Sequence, residues 1–172
     1  MIDDLYSARI LSLAANLPFS GRLDFSGPVL GWPGTGEQVA KLCGSKAVVD
    51  VLLHADGQTI RDFAQDIKAC ALGQAAAAVL GESVIGSTVT EIRAARDAMT
   101  AMLKFGGEGP TGRFEGLRIL KVVADYPARH ASTMVAIEAT LNAVADAWED
   151  YELPCVLGME QPADDKRTRN AG

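Results

Sequence analysis

The sequence predicts an α+β fold, a small antiparallel sheet of about three strands with helices packed on one face. Three observations carry that expectation. Ala47 to His54 alternates with a period of two and runs through Asp56-Gly57 into a second alternating stretch, which is a hairpin pattern. Later segments carry apolar residues at spacings of three and four, the helical period. The chain has 172 residues, 48% of them apolar, enough for one domain with a real core and too few for two ordinary ones.

The elements follow in order. Leu5 to about Asn16 reads as a short helix with Leu5, Ile10, Leu13 and Leu17 near one face, stopped by Pro18. Gly21 to Lys41, with Gly27-Pro28 and Trp32-Pro33-Gly34, reads as a strand fragment followed by an exposed, mobile loop. In the hairpin, Val49, Val51 and Leu53 share one face against Asp50 and His54. Its partner strand runs from about Thr59 to Ala69, with Phe63, Ile67 and Ala69 opposed to Asp62, Asp66 and Lys68.

After Cys70 an alanine-rich run through Leu80 has high helix propensity and little bulk, so it can pack tightly on the sheet. Thr88-Val89-Thr90-Glu91 is a capping box that opens a helix with Val89, Ile92, Met99 and Leu103 on one face and Gly106-Gly107 at its end. Phe105 to Gly116 reads as a loop and Leu117 to Val123 as a short amphipathic piece. The last helix is expected from Pro127, since proline suits the first helical position, with His130, Met134, Ile137, Leu141, Val144 and Trp148 as its inward stripe. The domain is expected over residues 1–153, and residues 154–172 read as a charged, disordered tail with Cys155 at its root.

A net charge of −6 and a pI near 4.9 argue against nucleic acid, an anionic membrane surface and acidic partners, all of which call for clustered Lys and Arg. No apolar run approaches the roughly 20 residues that span a bilayer, and Met1-Ile2-Asp3-Asp4 has the wrong charge for a targeting segment, so a cytoplasmic protein is expected. Three cysteines in a reducing compartment point to metal or thiol chemistry rather than to disulphides. The sequence lacks a P-loop ending and a Gly-x-Ser-x-Gly elbow, and it has only two histidines to act as bases, so it reads as a binding protein rather than an enzyme.

The candidate ligands are Cys43, Cys70 and His130. Cys43-Gly44-Ser45 precedes the first hairpin strand, where glycine lets the backbone turn and project a sulphur from the sheet end. Cys70 follows the second strand at a helix start, a setting that suits a metal-binding sulphur. Because the strands form one hairpin, both cysteines are expected at the same end of the sheet. Two thiolates do not complete a tetrahedral site, and His130, in the first turn of the last helix, is the best internal third ligand. His54 lies at the opposite end of its strand and is set aside, and Cys155 has no partner spacing.

These residues resemble a family, the iron-sulphur cluster scaffold proteins of the NifU N-terminal, IscU and SufU type. Leu5-Tyr6-Ser7 through Pro18-Phe19-Ser20-Gly21 is similar to their leading Tyr-Ser helix and Asn-Pro-x-Asn-x-Gly turn. Cys43-Gly44 resembles their first ligand motif, and Ala69-Cys70-Ala71-Leu72-Gly73-Gln74-Ala75 resembles the segment of their second cysteine. Val84-Ile85-Gly86-Ser87-Thr88 resembles a Val-x-Gly-Lys-Ser turn, and Tyr126-Pro127-Ala128-Arg129-His130 the segment that leads to their third cysteine. The similarity spans roughly residues 5 to 150. It implies a SufE/NifU-like α+β fold that holds a transient iron-sulphur cluster, or an iron or zinc ion, with a cysteine desulphurase and cluster-acceptor proteins as partners.

Two departures stand out. Ser45 takes the place of the family's Asp after Cys-Gly, and Ser132 stands where the third cysteine would, preceded by Ala131 in place of His or Lys. With fewer thiolates, cluster retention is expected to be weaker. Three functional readings follow: a scaffold that binds metal through Cys43, Cys70 and a non-cysteine third ligand; a thiol that accepts sulphur as a persulphide; and a metal-free regulatory module of the assembly machinery. The metal and the oligomeric state stay open.

Overall fold

The computed structural model describes residues 5–156, with side chains described through Asp150. Among these residues, four helices, three strands and one 3-10 segment follow in the order α1 (Ala8–Ala15), β1 (Trp32–Ala40), β2 (Ser45–Leu53), β3 (Ile60–Lys68), α2 (Ala71–Val84), α3 (Val89–Phe105), the 3-10 segment (Gly112–Val123) and α4 (Pro127–Val156). The sheet is antiparallel in the order β1-β2-β3. The predicted α+β fold with its three-stranded sheet is therefore the observed one. Most of the tail expected over residues 154–172 lies outside the described residues, as does the Cys155 side chain.

The helices lie on the face of the sheet that carries Val49, Val51 and Leu53, all fully buried. In β3 the matching face presents Phe63 and Gln65, opposite Val51 and Val49 in the register. The other face is not bare. Asp50 is buried there, where its carboxylate accepts bonds from Arg22 Nε at 2.6 Å, the Leu23 amide at 3.0 Å and the Thr35 hydroxyl at 2.7 Å. This clasp fastens the segment after α1 across the sheet. Burial pushes the Asp50 carboxyl up, but these three donors outweigh it and hold it below the ordinary carboxylate value.

The glycine-rich stretch expected as a mobile loop is, from Trp32 to Ala40, a regular strand. A Cβ on Gly34 would overlap the backbone of Ala143 and Ala147, and one on Gly36 would overlap the backbone of Ala139 and Ala143. The glycines serve a close approach by a helix rather than a turn. The same contact shifts the inward face of α4. Ala136, Ala139, Ala143 and Ala147 are buried with Ile137 and Val144, while His130, Met134, Leu141 and Trp148 of the expected stripe are only half-buried. An alanine face against a glycine strand brings the two backbones together, which bulkier residues would prevent.

Local signals place the remaining helices. The Thr88 hydroxyl accepts from the Glu91 amide at 3.2 Å while the Glu91 carboxylate accepts from the Thr88 amide at 2.8 Å, a complete capping box at the start of α3. Gly106, with φ of 72°, ends that helix in the left-handed conformation. The expected amphipathic piece is a 3-10 segment that buries Phe114, Leu117, Leu120 and Val123.

Candidate functional site

The turn between β1 and β2, residues 41–44, and the junction between β3 and α2 meet at one end of the sheet. Lys46 pairs with Lys68 in the register, which brings Cys43, three residues before Lys46, and Cys70, two residues after Lys68, to the same edge. Gly44, with φ of 71°, supplies the left-handed residue that the turn requires. Cys43 is exposed and Cys70 half-buried, and both are free thiols.

Two hydroxyls complete the arrangement. The Cys43 thiol donates to Ser45 Oγ at 3.1 Å, and the Cys70 thiol points to Ser132 Oγ at 3.6 Å. Ser45 and Ser132 are buried, at 5% and 0% exposure, so these hydroxyls belong to the fold and not to the solvent surface. The Ser132 hydroxyl is fixed by donating to the Arg129 carbonyl at 3.0 Å. The Ser45 side chain, and then its amide, hold the Cys43 thiol below its ordinary pKa, and Ser132 and the Arg129 charge act in the same direction. Ser132 therefore acts on both sulphurs, one from each turn.

His130 is turned away from this pair. Its Nε2 lies 3.1 Å from the carbonyls of both Val123 and Ala124, where it ties the start of α4 to the end of the 3-10 segment. At about 100° per residue, positions 130 and 132 of one helix point some 200° apart, so the face that sends Ser132 to the thiols sends His130 elsewhere. Among the described residues, no three His, Cys, Asp or Glu side chains converge into a group that could hold a metal ion. His54 is exposed at the opposite end of the sheet, where its amide donates to the Thr59 carbonyl at 2.9 Å.

The donor set at the site is two soft thiols and two neutral hydroxyls. It fits a soft metal or a sulphane sulphur held loosely, since hydroxyl oxygens are weak partners for soft ions. The place of Ser45 and Ser132 beside the sulphurs was legible only as two losses, of a carboxylate and of a thiol. Nothing local in the sequence shows that each hydroxyl lies against a sulphur. Arg129, in the Pro-x-Arg segment, likewise gave no sign of acting on Cys43.

A three-stranded sheet backed by helices, presenting paired thiols from two separate turns at one end, defines a small thiol-bearing α+β domain. The model of the NifU-like N terminal domain matches residues 5–133, a span that contains Cys43, Ser45, Cys70 and Ser132. The chain belongs to that family. Among solved structures it is similar to the N-terminal part of a nitrogen-fixing NifU-like protein from Brucella abortus, at 42% identity and a TM-score of 0.78, covering 86% of this chain and 97% of that one.

It shares the fold of a SufU candidate from Fervidobacterium islandicum AW-1, described as a scaffold for iron-sulphur cluster assembly in the SUF system, at 22% identity and a TM-score of 0.66, covering 83% of this chain and 98% of that one. A hypothetical protein determined at 2.3 Å resolution has the same fold at 21% identity and a TM-score of 0.66, with coverage of 83% and 98%. No curated protein matches the chain. Among the described residues no helix is long and apolar enough to cross a membrane.

Proposed function

We propose that this domain is a scaffold of iron-sulphur cluster assembly that carries iron, or iron with sulphide, between the thiolates of Cys43 and Cys70, and that it catalyses no reaction of its own. The observation that carries this reading is the meeting of two thiols from sequence-distant turns around one buried hydroxyl, Ser132. Thiolates select iron and zinc over hard ions. Ser132 is the residue best placed to add a third, non-cysteine donor, and the engaged ring of His130 favours it over that histidine. Family membership and the SufU-like fold support the same cargo. The partners would be a cysteine desulphurase and cluster acceptors, met in the cytoplasm.

The test is anaerobic purification and reconstitution with iron and sulphide, followed by iron, zinc and acid-labile sulphide analysis of wild type, Cys43→Ser, Cys70→Ser and His130→Ala. Loading is expected in wild type and in His130→Ala and is lost in each cysteine variant. A wild type that holds no metal after reconstitution, or cysteine variants that load equally well, overturns the proposal.

One observation favours a second reading. Cys43 is exposed and its pKa is lowered by Ser45, the state of a thiol that accepts sulphur. The Cys43 thiolate would take the outer sulphur of a donor persulphide, the donor leaving as a thiolate. Mass spectrometry after incubation with a desulphurase and cysteine should then find one added sulphur on Cys43 in protein that holds no metal.

A further inference from the structure

β1 forms one edge of the sheet, and that edge changes character along its length. The Thr35 amide donates to the Asp146 carboxylate at 2.8 Å, so Thr35 and the alternate residues Glu37 and Val39 turn their backbone groups away from β2. The first half of the edge is partly closed. Pro33 has no N–H to offer, Asp146 takes the Thr35 amide, and Asn142 Nδ2 donates to the Glu37 carbonyl at 2.8 Å. At Val39 the described residues of α4 supply no such partner, and the residue is 39% exposed.

Beside that open stretch lies a groove of about 650 Å³ between the end of β1 and the end of α3, floored by the first turns of α4. Val39, Leu103 and Met134 make it partly apolar. Leu42, just past the wall at Ala40, and Phe105, just past Lys104, are 84% and 82% exposed, so the apolar surface continues onto the rim. Its charge is opposite to that of the chain as a whole. Glu138 in the groove is paired with Arg96 at 3.5 Å, while Lys104 on the wall and Lys41 beside Ala40 form no ion pair among the described residues. In a protein of net charge −6 this is a local cationic mouth.

We propose that the Val39 edge and this groove bind an extended, acidic segment of a partner protein. The segment adds to the sheet by pairing with the Val39 backbone, places one apolar side chain in the groove and sets flanking carboxylates against Lys41 and Lys104. The net charge that disfavours acidic partners for the chain as a whole does not describe this corner. Ala40 and Ala131 line the groove, and they adjoin the thiol site, with Cys43 Sγ 3.9 Å from the Ala40 carbonyl and Ser132 directly after Ala131. A partner bound here lies beside the thiols without using them, so the proposal stands apart from the cargo reading.

The test is selection of a random peptide library displayed on phage against the full chain, then fluorescence anisotropy with the leading peptide in synthetic form. The selected peptides are expected to carry an apolar residue between Asp or Glu. Binding should weaken at least about fivefold in Val39→Pro, which removes the edge N–H. It should weaken about fivefold in Lys104→Glu, an exposed change that leaves the fold alone. The Cys43→Ser, Cys70→Ser double variant should bind as wild type does. Circular dichroism checks that Val39→Pro is folded, and Lys104→Glu decides the matter if it is not. No enrichment, a consensus without acidic residues, or binding indifferent to both groove variants overturns the proposal. A dimer in sedimentation that Val39→Pro dissociates also overturns it, by identifying a second copy of this chain as the occupant.

Discussion

The two ends of the sheet are finished in opposite ways. At the β2–β3 turn, Asp56 accepts from the amides of Gln58 and Thr59 at 2.8 and 2.9 Å and from the Thr59 hydroxyl at 2.7 Å. Gly57 takes the left-handed conformation there, and Trp148 of α4 clasps its carbonyl with an indole N–H at 2.8 Å. At the other end residues 41–44 are all exposed, and the side-chain bonds are those of two thiols and two hydroxyls. One end is held by the bonds of Asp56 and by Trp148 on the Gly57 carbonyl. The other end carries two sulphurs whose hydrogen bonds are to hydroxyls, one of them on an exposed turn.

The sharpest break of that comparison is at the fixed end. Gly34→Ala drives a methyl into the α4 backbone at Ala143 and Ala147, neither of which can yield without moving the helix, and should cost about 3 kcal/mol in urea unfolding. A cost below about 1 kcal/mol would mean that close helix approach is not why this strand carries glycine.

The Asp50 clasp, midway between the ends, comes next. Arg22→Ala leaves the buried carboxylate with Thr35 and Leu23 only, and about 2 kcal/mol of stability should go. The folded carboxyl sits below the unfolded value of about 3.9, so at intermediate pH the unfolded chain holds a proton that the folded chain does not. Its contribution is therefore complete above about pH 5 and is lost as pH falls below about 3.9 towards the folded value. Chemical unfolding across pH 2–6 should show a shallower acid limb in Arg22→Ala than in wild type, and parallel limbs would refute the assignment. Smaller again, Trp148→Phe removes the single bond to the Gly57 carbonyl and should cost about 1 kcal/mol, read as a lower thermal midpoint with metal loading unchanged.

What the sequence makes legible follows the reach of its signals. The hairpin, the capping box at Thr88 and the proline start of α4 depend on neighbours within four residues, and each stands where it was expected. β1 escapes such reading because its glycines answer to Ala139, Ala143 and Ala147, more than a hundred residues away. Local chemistry in Trp32-Pro33-Gly34 spells a loop, and only the distant helix makes it a strand. The inward stripe of α4 holds at Ile137 and Val144 but is displaced towards alanine elsewhere for the same reason, since against a glycine strand the favoured face is alanine. At the site, hairpin topology is enough to bring Cys43 and Cys70 to one end. The difference between His130 and Ser132 is one of phase on a helix, and it needs the rotation of α4 about its own axis, which packing decides.

The smallest expected change in stability separates the two ends most cleanly. Cys43 is exposed, on a turn whose φ > 0 residue is Gly44, and its sulphur meets the hydroxyls of Ser45 and Ser132 and, at 3.9 Å, the Ala40 carbonyl. Serine keeps the shape and can keep the bond to Ser45, so Cys43→Ser should unfold within about 0.5 kcal/mol of wild type. Its iron content after reconstitution should nevertheless fall to background, because an alcohol at neutral pH is a poor substitute for a thiolate. Trp148→Phe gives the converse, a weaker fold that still loads. A Cys43→Ser protein that is destabilised by more than about 1 kcal/mol would show that the thiol helps to hold this end shut, and the contrast between the two ends would then fail.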